Sequence, residues 1–269
     1  MAAQEAMIER ITPLIITFNE APNIGRVLDK LRWAKRIVVV DSGSTDGTLD
    51  IVKQVPQAEI VHRSFDSFAD QCNFGHTQIG TEWVLSLDAD YELSETLVEE
   101  LRALTEPGGV NGFRVPFVYR IQGRPLRGTL YPPRIVLYRV AGAAYRNEGH
   151  GHRVQVPGEI GALRAPIYHD DRKPVSRWFA SQRNYARAEA DYLLSNPLSV
   201  MSRTDRIRRL GWAAPILVFF YVLFIKGGIL DGTAGWHYTL QRVIAEAMIA
   251  LEILDRRIRG ETAPKSKDG

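Results

Sequence analysis

Residues 37–48 read Ile37-Val38-Val39-Val40-Asp41-Ser42-Gly43-Ser44-Thr45-Asp46-Gly47-Thr48, and this stretch decides the fold that the sequence predicts. A run of β-branched residues of this kind is typical of a strand buried in a parallel sheet. The run ends at Asp41 in acidic, hydroxyl and glycine residues, which indicate a turn. Because ligands bind where the strands of an open α/β sheet end, the stretch predicts a ligand crevice at Asp41.

A second acidic cluster ends another apolar run, Val84-Leu85-Ser86-Leu87-Asp88-Ala89-Asp90. Both clusters follow predicted strands, so we expect them to meet in one crevice. Asp88 and Asp90 supply hard oxygen ligands for a divalent cation, Mg²⁺ or Mn²⁺, and such a cation also prefers phosphate oxygens. The sequence therefore predicts that a metal at Asp88 and Asp90 holds a diphosphate.

The Asp41 cluster differs from the second cluster in its glycines. Gly43 and Gly47 allow the backbone to turn sharply, and Asp46 is placed to cap a helix that begins near Thr48. The carboxylates of Asp41 and Asp46 suit hydrogen bonds from a base or a ribose. For Asp41 alone, a purely structural turn is the alternative interpretation.

Strands alternate with helical patterns through the first 110 residues, beginning with a strand over residues 11–17. This alternation predicts an α/β fold with a right-handed, mostly parallel sheet flanked by helices. From Gly112 onward, short alternating runs between Gly and Pro turns indicate antiparallel strands. We therefore expect a Rossmann-like nucleotide-binding half over residues 1–110 and an acceptor-side half over residues 111–170.

The chain is long enough for one large domain and an appendage, since it has 269 residues, of which 45% are hydrophobic. We expect residues 171–259 to be helical and residues 260–269 to be a disordered tail. The uncharged stretch 210–225 is interrupted by Pro215 and falls short of the roughly 20 residues of a spanning helix. We expect this stretch to insert into a membrane interface; a core or dimer helix is the alternative.

Charge is distributed unevenly around this apolar stretch. The formal net charge is only +3 at pH 7, but arginines concentrate between Arg172 and Arg209, immediately before the stretch. This order favours contact with an anionic membrane surface and argues against a nucleic acid partner. A solvated helix face is the alternative interpretation of these arginines.

The redox environment is indicated by the lone cysteine, Cys72. A single cysteine excludes an internal disulfide and a cysteine-rich metal site, and it suits a reducing compartment. The residues before the first predicted strand lack the pattern of a secretory signal. We therefore expect a protein that is not exported.

Three motifs follow one another in the first ninety residues: Thr17-Phe18-Asn19-Glu20, Val40-Asp41-Ser42-Gly43-Ser44-Thr45-Asp46-Gly47-Thr48 and Leu87-Asp88-Ala89-Asp90. In this order and at these separations they resemble the inverting family 2 glycosyltransferases with the GT-A fold. Two later segments, Tyr168-His169-Asp170 and Lys226-Gly227-Gly228-Ile229-Leu230-Asp231-Gly232, resemble the subgroup that contains lipopolysaccharide-core β-1,4-glucosyltransferases.

The resemblance implies a binding site for a UDP-sugar. Thr17, Asn19 and Glu20 would lie along the uridine, and Asp41 would contact the uracil or the ribose. The nucleotide-binding set as a whole comprises Thr17, Asn19, Glu20, Asp41, Asp46 and Asp88.

The resemblance also implies a metal and a base. Asp90 would ligate Mg²⁺ or Mn²⁺ across the diphosphate, Asp88 would reach the ribose or the metal, and the metal would act as a Lewis acid for the departing UDP. An inverting displacement also needs a base, because the acceptor hydroxyl must lose its proton as it attacks. Glu148 is the first candidate for this base, and Asp170 and Asp171 are the alternatives.

The predicted function is transfer of a hexose, with glucose as the first expectation, from a UDP-sugar to a hydroxyl of a lipopolysaccharide-core or other lipid-anchored glycan. The expected location is the cytoplasmic face of the bacterial inner membrane, as a peripheral or monotopic protein with a C-terminal membrane-associating appendage. Two alternatives stay open. One is transfer to a polyprenyl phosphate, which needs no strong base because that acceptor is already an anion; the other is a non-catalytic membrane scaffold that binds the nucleotide-sugar.

Overall fold

The computed structural model describes residues 6–105, 108–148 and 151–261, without the side chains of residues 147, 148, 151 and 152. The chain forms two compact units. The first unit comprises Met1–Pro125 and Tyr131–Lys173, and the second comprises Leu126–Leu130 and Pro174–Gly269. The second unit therefore takes in a short segment from the middle of the chain.

The first unit consists of strands and helices that alternate through its N-terminal part. Its strands are β1 (Ile11–Thr17), β2 (Ile37–Asp41), β3 (Ala58–His62), β4 (Trp83–Asp88), β5 (Tyr91–Leu93), β6 (Val110–Val115), β7 (Phe117–Ile121), β8 (Arg124–Pro125), β9 (Arg134–Arg139), β10 (Ala144–Glu148), β11 (Gly151–Gln155), β12 (Glu159–Ala162) and β13 (Ile167–His169). Its helices are α1 (Ile24–Asp29), α2 (Thr48–Val52), α3 (Phe68–Thr77) and α4 (Glu95–Ala103), preceded by a 3₁₀ helix over Met7–Arg10.

The central sheet of the first unit has seven strands in the order β12-β6-β9-β4-β1-β2-β3. Strand β1 is parallel to both β2 and β4, and β2 is parallel to β3, whereas β9 is antiparallel to β4 and β6. The predicted α/β fold with a mostly parallel sheet is therefore confirmed. Pro116, which has no N–H to give to a ladder, separates β6 from β7.

The parallel strands lie at the centre of the core of the first unit. Strand β2 is fully buried over residues 37–40, as expected for a strand that is covered on both faces. Leu14 and Ile15 are neighbours in β1 but pack in different apolar clusters, because successive side chains point to opposite faces of a sheet. The acidic clusters therefore follow strands that lie inside the core.

The second unit is helical. Its elements are α5 (Val175–Ser195), α6 (Arg203–Arg209), α7 (Ala213–Phe220) and α8 (Gly232–Ile258), with a π-helical turn over Tyr221–Ile225 and 3₁₀ helices over Leu198–Val200 and Gly228–Asp231. The predicted C-terminal helical appendage is therefore confirmed. Residues 262–269 of the expected disordered tail lie outside the described residues.

A buried group of charges joins three helices of the second unit. Arg208 of α6 donates a hydrogen bond of 2.6 Å to Glu246 of α8 and one of 3.2 Å to Glu189 of α5. Both carboxylates are buried. Because an unpaired buried charge is costly, this arrangement ties the three helices to one register.

The apolar stretch of the second unit is bent. Among the described residues, no single helix is long and apolar enough to cross a membrane. The segments Ala213–Ile225 and Gly228–Ile258 meet that requirement only as a pair, and they are bent by 68°. Between them lies Gly227, whose φ of 74° falls in the left-handed region that glycine adopts readily.

Close packing between α3 and β1 gives a first prediction. A Cβ atom at Gly75 of α3 would approach the two Cδ atoms of Leu14 to 2.6 and 2.7 Å, and Leu14 is fully buried. We expect Gly75→Ala to lower the free energy of unfolding by about 1 kcal/mol, because an overpacking cost of about 1–3 kcal/mol exceeds the gain in helix propensity. Urea denaturation measures this change.

Gly80→Ala is the matched control, since a Cβ atom at Gly80 has no heavy atom within 4 Å. A Gly75→Ala protein that is as stable as the Gly80→Ala protein would contradict the close contact of Gly75 with Leu14.

Candidate active site

Parallel pairing brings the ends of three strands together. Thr17 at the end of β1 lies beside Asp41 at the end of β2, and Ile16 lies beside Asp88 at the end of β4. The N–H of Ser42 donates to the carbonyl of Thr17 at 3.0 Å and continues the ladder beyond β2. The loops that carry the two acidic clusters therefore begin at the same edge of the sheet.

The loops after β1 and β2 are joined by hydrogen bonds. Asn19 accepts a hydrogen bond of 2.7 Å from the N–H of Thr45, and its own N–H donates to Ser44 Oγ at 2.8 Å. The N–H of Glu20 donates to Thr48 Oγ1 at 2.7 Å. Asn19 has a φ of 56°, a conformation in which asparagine is enriched. These bonds fix Asn19 in the crevice where the sequence predicts the uridine.

Asp46 belongs to the same network. Its Oδ2 accepts from the N–H of Ala21 at 3.2 Å, and its Oδ1 accepts from the N–H and the hydroxyl of Thr48 at 3.2 and 2.5 Å. Asp46 thus satisfies the first N–H of α2, although Gly47 occupies the N-cap position. Burial opposes the charge of Asp46, but its hydrogen bonds outweigh burial and lower the pKa of the carboxyl. A nucleotide contact at Asp46 stays a prediction.

Asp41 is fully buried and anchors its own loop. Its carboxylate accepts from the N–H of Gly43 at 2.8 Å, and from the N–H and the hydroxyl of Ser44 at 3.0 and 2.5 Å. Gly43 has a φ of 93°, so the turn requires glycine there. The carboxylate of Asp41 therefore has a structural role, and its contact with the uracil or the ribose stays a prediction.

Thr17 carries a hydroxyl that the fold does not use. The residue is 4% exposed, and its Oγ1 has no hydrogen-bond partner among the described residues. Leaving a buried hydroxyl without a partner is costly, so such a group indicates that a ligand or a water molecule completes the site.

A half-buried lysine lies among carboxylates at this edge. Lys173 Nζ is 2.5 Å from Glu20 Oε1 and 3.5 Å from Asp171 Oδ2. Asn23 links the same two carboxylates, because its Nδ2 donates to Glu20 at 2.8 Å and to Asp171 at 2.9 Å. We call these four residues the lysine cluster.

The charges of the lysine cluster shift one another's pKa values. Burial works against the charge of Lys173, but the carboxylates, Asp90 most of all, outweigh burial and raise the pKa of the ammonium to about 12. Burial and then the charge of Asp90 raise the pKa of Glu20 to about 7, although Lys173 lowers it. Lys173 is therefore charged at neutral pH, where Glu20 titrates.

Asp90 is paired with a histidine from another strand. His169 lies opposite Tyr91 in the pairing of β13 with β5, and its Nε2 is 3.2 Å from Asp90 Oδ2. The rings of Tyr91, Tyr119 and Tyr131 surround the imidazole, with centroids 5.2, 4.5 and 4.9 Å away. Burial opposes both charges, but their attraction outweighs it, lowering the pKa of Asp90 and raising that of His169. The pair therefore keeps Asp90 ionised.

Asp88 lines a cavity of about 530 Å³ and has no hydrogen-bond or ion-pair partner among the described residues. In the described part of the chain, no group of three or more His, Cys, Asp or Glu side chains has the arrangement of a metal site. Mg²⁺, however, needs only one or two carboxylates when substrate phosphates and water supply its other ligands. The unpartnered Asp88 and the ionised Asp90 fit a cation held in that way.

The candidate bases differ in their surroundings. Asp170 is fully buried, and its carboxylate accepts from Arg172 at 2.8 Å and from the N–H of Gly123 at 3.2 Å. Asp171 is bound in the lysine cluster. Glu148 ends β10, but its side chain lies outside the described part of the structure, so its role as the base stays a prediction.

Lys173 and His169 are absent from the predicted set of site residues. Their signal in the sequence is the ionisable run His169-Asp170-Asp171-Arg172-Lys173 at the end of β13. The position of this run depends on the pairing of β13 with β5, which joins segments far apart in the chain. Local spacing could not show that the run lies beside Asp90.

An α/β sheet with acidic loops at the carboxyl ends of its parallel strands defines a class of enzyme that binds its ligand at that edge. The family model described as Glycosyl transferase family 2 matches residues 13–164. Since this match covers more than half of the 269 residues, the chain belongs to the family 2 glycosyltransferases. The family that the motifs resemble is thereby confirmed.

Similar proteins cover nearly the whole chain. The lipopolysaccharide core biosynthesis glycosyltransferase LpsC of Rhizobium meliloti is 26% identical over 91% of this chain and 92% of its own length. An uncharacterised glycosyltransferase of Rickettsia bellii is 23% identical over 98% of this chain and 92% of its own length. The crystal structure of S. aureus TarS 1–349 has a TM-score of 0.46 and 16% identity, and covers 93% of this chain and 91% of that chain.

The lysine cluster gives a second prediction. Lys173→Ala should lower the free energy of unfolding by about 2 kcal/mol at pH 8, because it leaves partly buried carboxylates without their cation. The pKa of Glu20 is raised from 4.5 to about 7, so its ionisation lowers stability as the pH rises through that interval. Without Lys173, ionisation of Glu20 lowers the stability further. The difference in the free energy of unfolding between the wild-type protein and Lys173→Ala, measured by chemical denaturation, should therefore be smaller at pH 5.5 than at pH 8.

Lys53→Ala is the control for the loss of one lysine. Lys53 and Asp50 form an ion pair whose side chains are 64% and 79% exposed, so we expect a change of less than about 0.5 kcal/mol. Equal effects of Lys173→Ala and Lys53→Ala at pH 8 would contradict the role of Lys173.

Proposed function

We propose that this family 2 glycosyltransferase transfers a hexose from a UDP-sugar to a hydroxyl of a lipopolysaccharide-core or other lipid-anchored glycan, with inversion. One observation supports the proposal above all: the strands β1, β2 and β4 end at the same edge of the sheet. At this edge the carboxylate of Asp88 has no hydrogen-bond or ion-pair partner among the described residues. The motifs at this edge are those that resemble the UDP-sugar enzymes of the family. The name of the LpsC relative supports the class of acceptor.

In this proposal the loops after β1 and β2 hold the uridine. Thr17 offers a buried hydroxyl without a partner among the described residues. Asn19 and Asp41 hold their loops in fixed conformations through hydrogen bonds of 2.5–3.0 Å. A site whose loops are fixed before the ligand arrives loses less entropy on binding.

Asp88 and Asp90 are the proposed residues for Mg²⁺ or Mn²⁺ against the diphosphate. When bound, the cation supplies a Lewis acid that stabilises the charge of the departing UDP. His169, 3.2 Å from Asp90, holds that carboxylate in its ionised form. Lys173 offsets the negative charge that Glu20 and Asp90 would otherwise present to the diphosphate.

The transfer itself needs one proton acceptor. The oxygen of the acceptor hydroxyl forms a bond to the anomeric carbon while the bond from that carbon to the UDP oxygen breaks. UDP leaves with the electron pair, and the hydroxyl proton passes to the base. Glu148 is the proposed base, since Asp170 is fully buried and both of its carboxylate oxygens already accept hydrogen bonds.

We also propose that the second unit binds the cytoplasmic face of a bacterial inner membrane. The exposed residues Ile216, Leu217, Phe220, Phe224 and Ile225 form what we call the apolar patch, and they lie on α7 and the π-helical turn. Exposed apolar surface of this extent is typical of a site that contacts a membrane or a partner. The exposed basic residues Arg203, Arg206 and Lys226 lie close to these elements in the chain, which favours an anionic lipid surface.

The metal assignment gives a third prediction. Asp88→Asn should reduce Mn²⁺-dependent hydrolysis of UDP-glucose, in which water takes the glucose and UDP is released, by about 100-fold or more, because it removes a charge that holds the Lewis acid. Asp88→Asn tests the metal site more directly than Asp90→Asn does, because the carboxylate of Asp88 has no hydrogen-bond or ion-pair partner among the described residues whose loss would disturb the fold. Asp90→Asn should have a similar effect. Coupled assays of UDP release measure both variants.

Asp50→Asn is the matched control, because the side chain of Asp50 is 79% exposed and pairs only with Lys53 among the described residues. It should retain the wild-type rate. If Asp88→Asn and Asp90→Asn both kept that rate, neither residue would hold the metal.

The apolar patch gives a fourth prediction. Replacing Phe220, Phe224 and Ile225 together by serine should reduce sedimentation with vesicles of phosphatidylglycerol and phosphatidylethanolamine by about tenfold or more, since several apolar side chains no longer enter the lipid. Thermal melting followed by circular dichroism establishes that the variant is folded.

The control replaces Leu251 and Ile258 by serine. These side chains are 69% and 87% exposed on α8, outside the apolar patch. Sedimentation should then stay at the wild-type level. If the triple variant sedimented with vesicles as much as the wild-type protein does, the apolar patch would not be the surface that binds the membrane.

A further inference from the structure

The cavity beside the acidic edge is lined by arginines. Its volume is about 530 Å³, and its charged lining residues are Asp88, Arg114, Arg134 and Arg153. Arg114 belongs to β6, Arg134 begins β9, and Arg153 belongs to β11. Three separate strands therefore bring positive charge to one cavity, which indicates that its ligand is an anion.

Arg134 is the least exposed of these arginines. Among the described residues it has no carboxylate at ion-pair distance; its guanidinium lies over the ring of Tyr131, 4.7 Å from the centroid. Partial burial opposes the charge of Arg134, but the surrounding groups, Asp88 among them, outweigh burial and raise the pKa of the guanidinium. The planar guanidinium matches the geometry of phosphate and carboxylate groups. Stacking on Tyr131 holds it in one orientation.

Arg114 lies at the same end of the sheet as Arg134. In the antiparallel pairing of β6 with β9, Arg114 is opposite Ile135, the residue that follows Arg134. The side chain of Arg114 has no hydrogen-bond or ion-pair partner among the described residues. Arg153 comes from the separate two-stranded sheet of β10 and β11. An anion in the cavity therefore meets the guanidinium groups of Arg114 and Arg134, which lie at one end of the central sheet.

The remaining surface of the cavity suits a sugar. Tyr91 and Tyr145 contribute aromatic side chains, and Ile135 and Val136 contribute apolar ones. Pockets for small ligands combine such surfaces with a few charged groups that fix the orientation of the ligand.

The cavity meets the predicted nucleotide site only at Asp88. None of its lining residues belongs to the loops over residues 17–20 and 41–48, and among the predicted nucleotide residues it includes only Asp88. In the proposed function, the cation at Asp88 and Asp90 binds the diphosphate of the donor. We assign Arg114 and Arg134 to a second anion, and the acceptor is the other substrate of the reaction.

We propose that the acceptor carries a phosphate or carboxylate group near its reacting hydroxyl, and that Arg114 and Arg134 bind this group. The inference rests on the proposed function, because it assigns the cavity to the acceptor of a glycosyl transfer. Binding through two guanidinium groups selects an anionic sugar over a neutral sugar of the same size.

Calorimetric titration of the full chain with three probes tests the proposal. The probes are glucose 6-phosphate, glucuronate and glucose, each added to protein saturated with UDP and Mn²⁺. We expect at least one anionic probe to bind about tenfold or more tightly than glucose, because each hydrogen bond to a charged group contributes to affinity. The better anionic probe then identifies phosphate or carboxylate as the group. Arg134→Gln should remove this preference while UDP affinity stays within about twofold.

Arg114→Gln is a second variant that tests the same preference for an anionic probe. The side chain of Arg114 is exposed, so it can be replaced without disturbing the core. Arg32→Gln is the control for the loss of one positive charge, since Arg32 is 77% exposed and pairs with Asp29. It should leave the preference for the anionic probe unchanged.

Two results would overturn the proposal. One is equal binding of all three probes to the wild-type protein. The other is an equal loss of UDP and anionic-probe affinity in Arg134→Gln, which would assign the cavity to the diphosphate of the donor. Failure of the wild-type protein to bind UDP with Mn²⁺ is a separate result that counts against the proposed function. Titration of the probes without UDP then still tests the arginine site.

Discussion

The structure depends on how positive charge balances the carboxylates that parallel pairing gathers at one edge of the sheet. Lys173 lies 2.5 Å from Glu20, and His169 lies 3.2 Å from Asp90. Like charges at this depth would otherwise repel one another or take up protons. Because of these pairs, the edge keeps Asp90 ionised. An ionised carboxylate next to Asp88, which has no hydrogen-bond or ion-pair partner among the described residues, is what a divalent cation and a diphosphate require.

Local sequence patterns predict the fold of the first unit because its parallel strands are buried on both faces. The continuous apolar run of residues 37–40 is the direct consequence of that burial. The organisation of the second unit depends instead on contacts between distant segments. The N–H of Leu130 donates to the hydroxyl of Tyr238 at 3.0 Å, and that of Arg127 donates to Asp231 at 2.8 Å. No periodicity near residues 126–130 predicts that these residues pack with C-terminal helices.

The same distinction applies to the candidate site. Asp41, Asp88 and Asp90 could be predicted because they follow strands, where the ligands of an α/β sheet bind. The structure adds that the carboxylate of Asp41 is used by its own loop. Lys173 could not be predicted in the site, because it is 153 residues from Glu20 along the chain. The pairing of β13 with β5 and β7 brings its segment to the acidic edge.

Calorimetric titration of the wild-type protein with UDP, in the presence and absence of Mn²⁺, tests the central claim most directly. It requires neither the acceptor nor the donor sugar. We expect UDP to bind when Mn²⁺ is present and to bind much more weakly without it, because the diphosphate would then face Asp88 and Asp90 without a cation. The absence of UDP binding under both conditions would contradict a UDP-sugar site at this edge of the sheet.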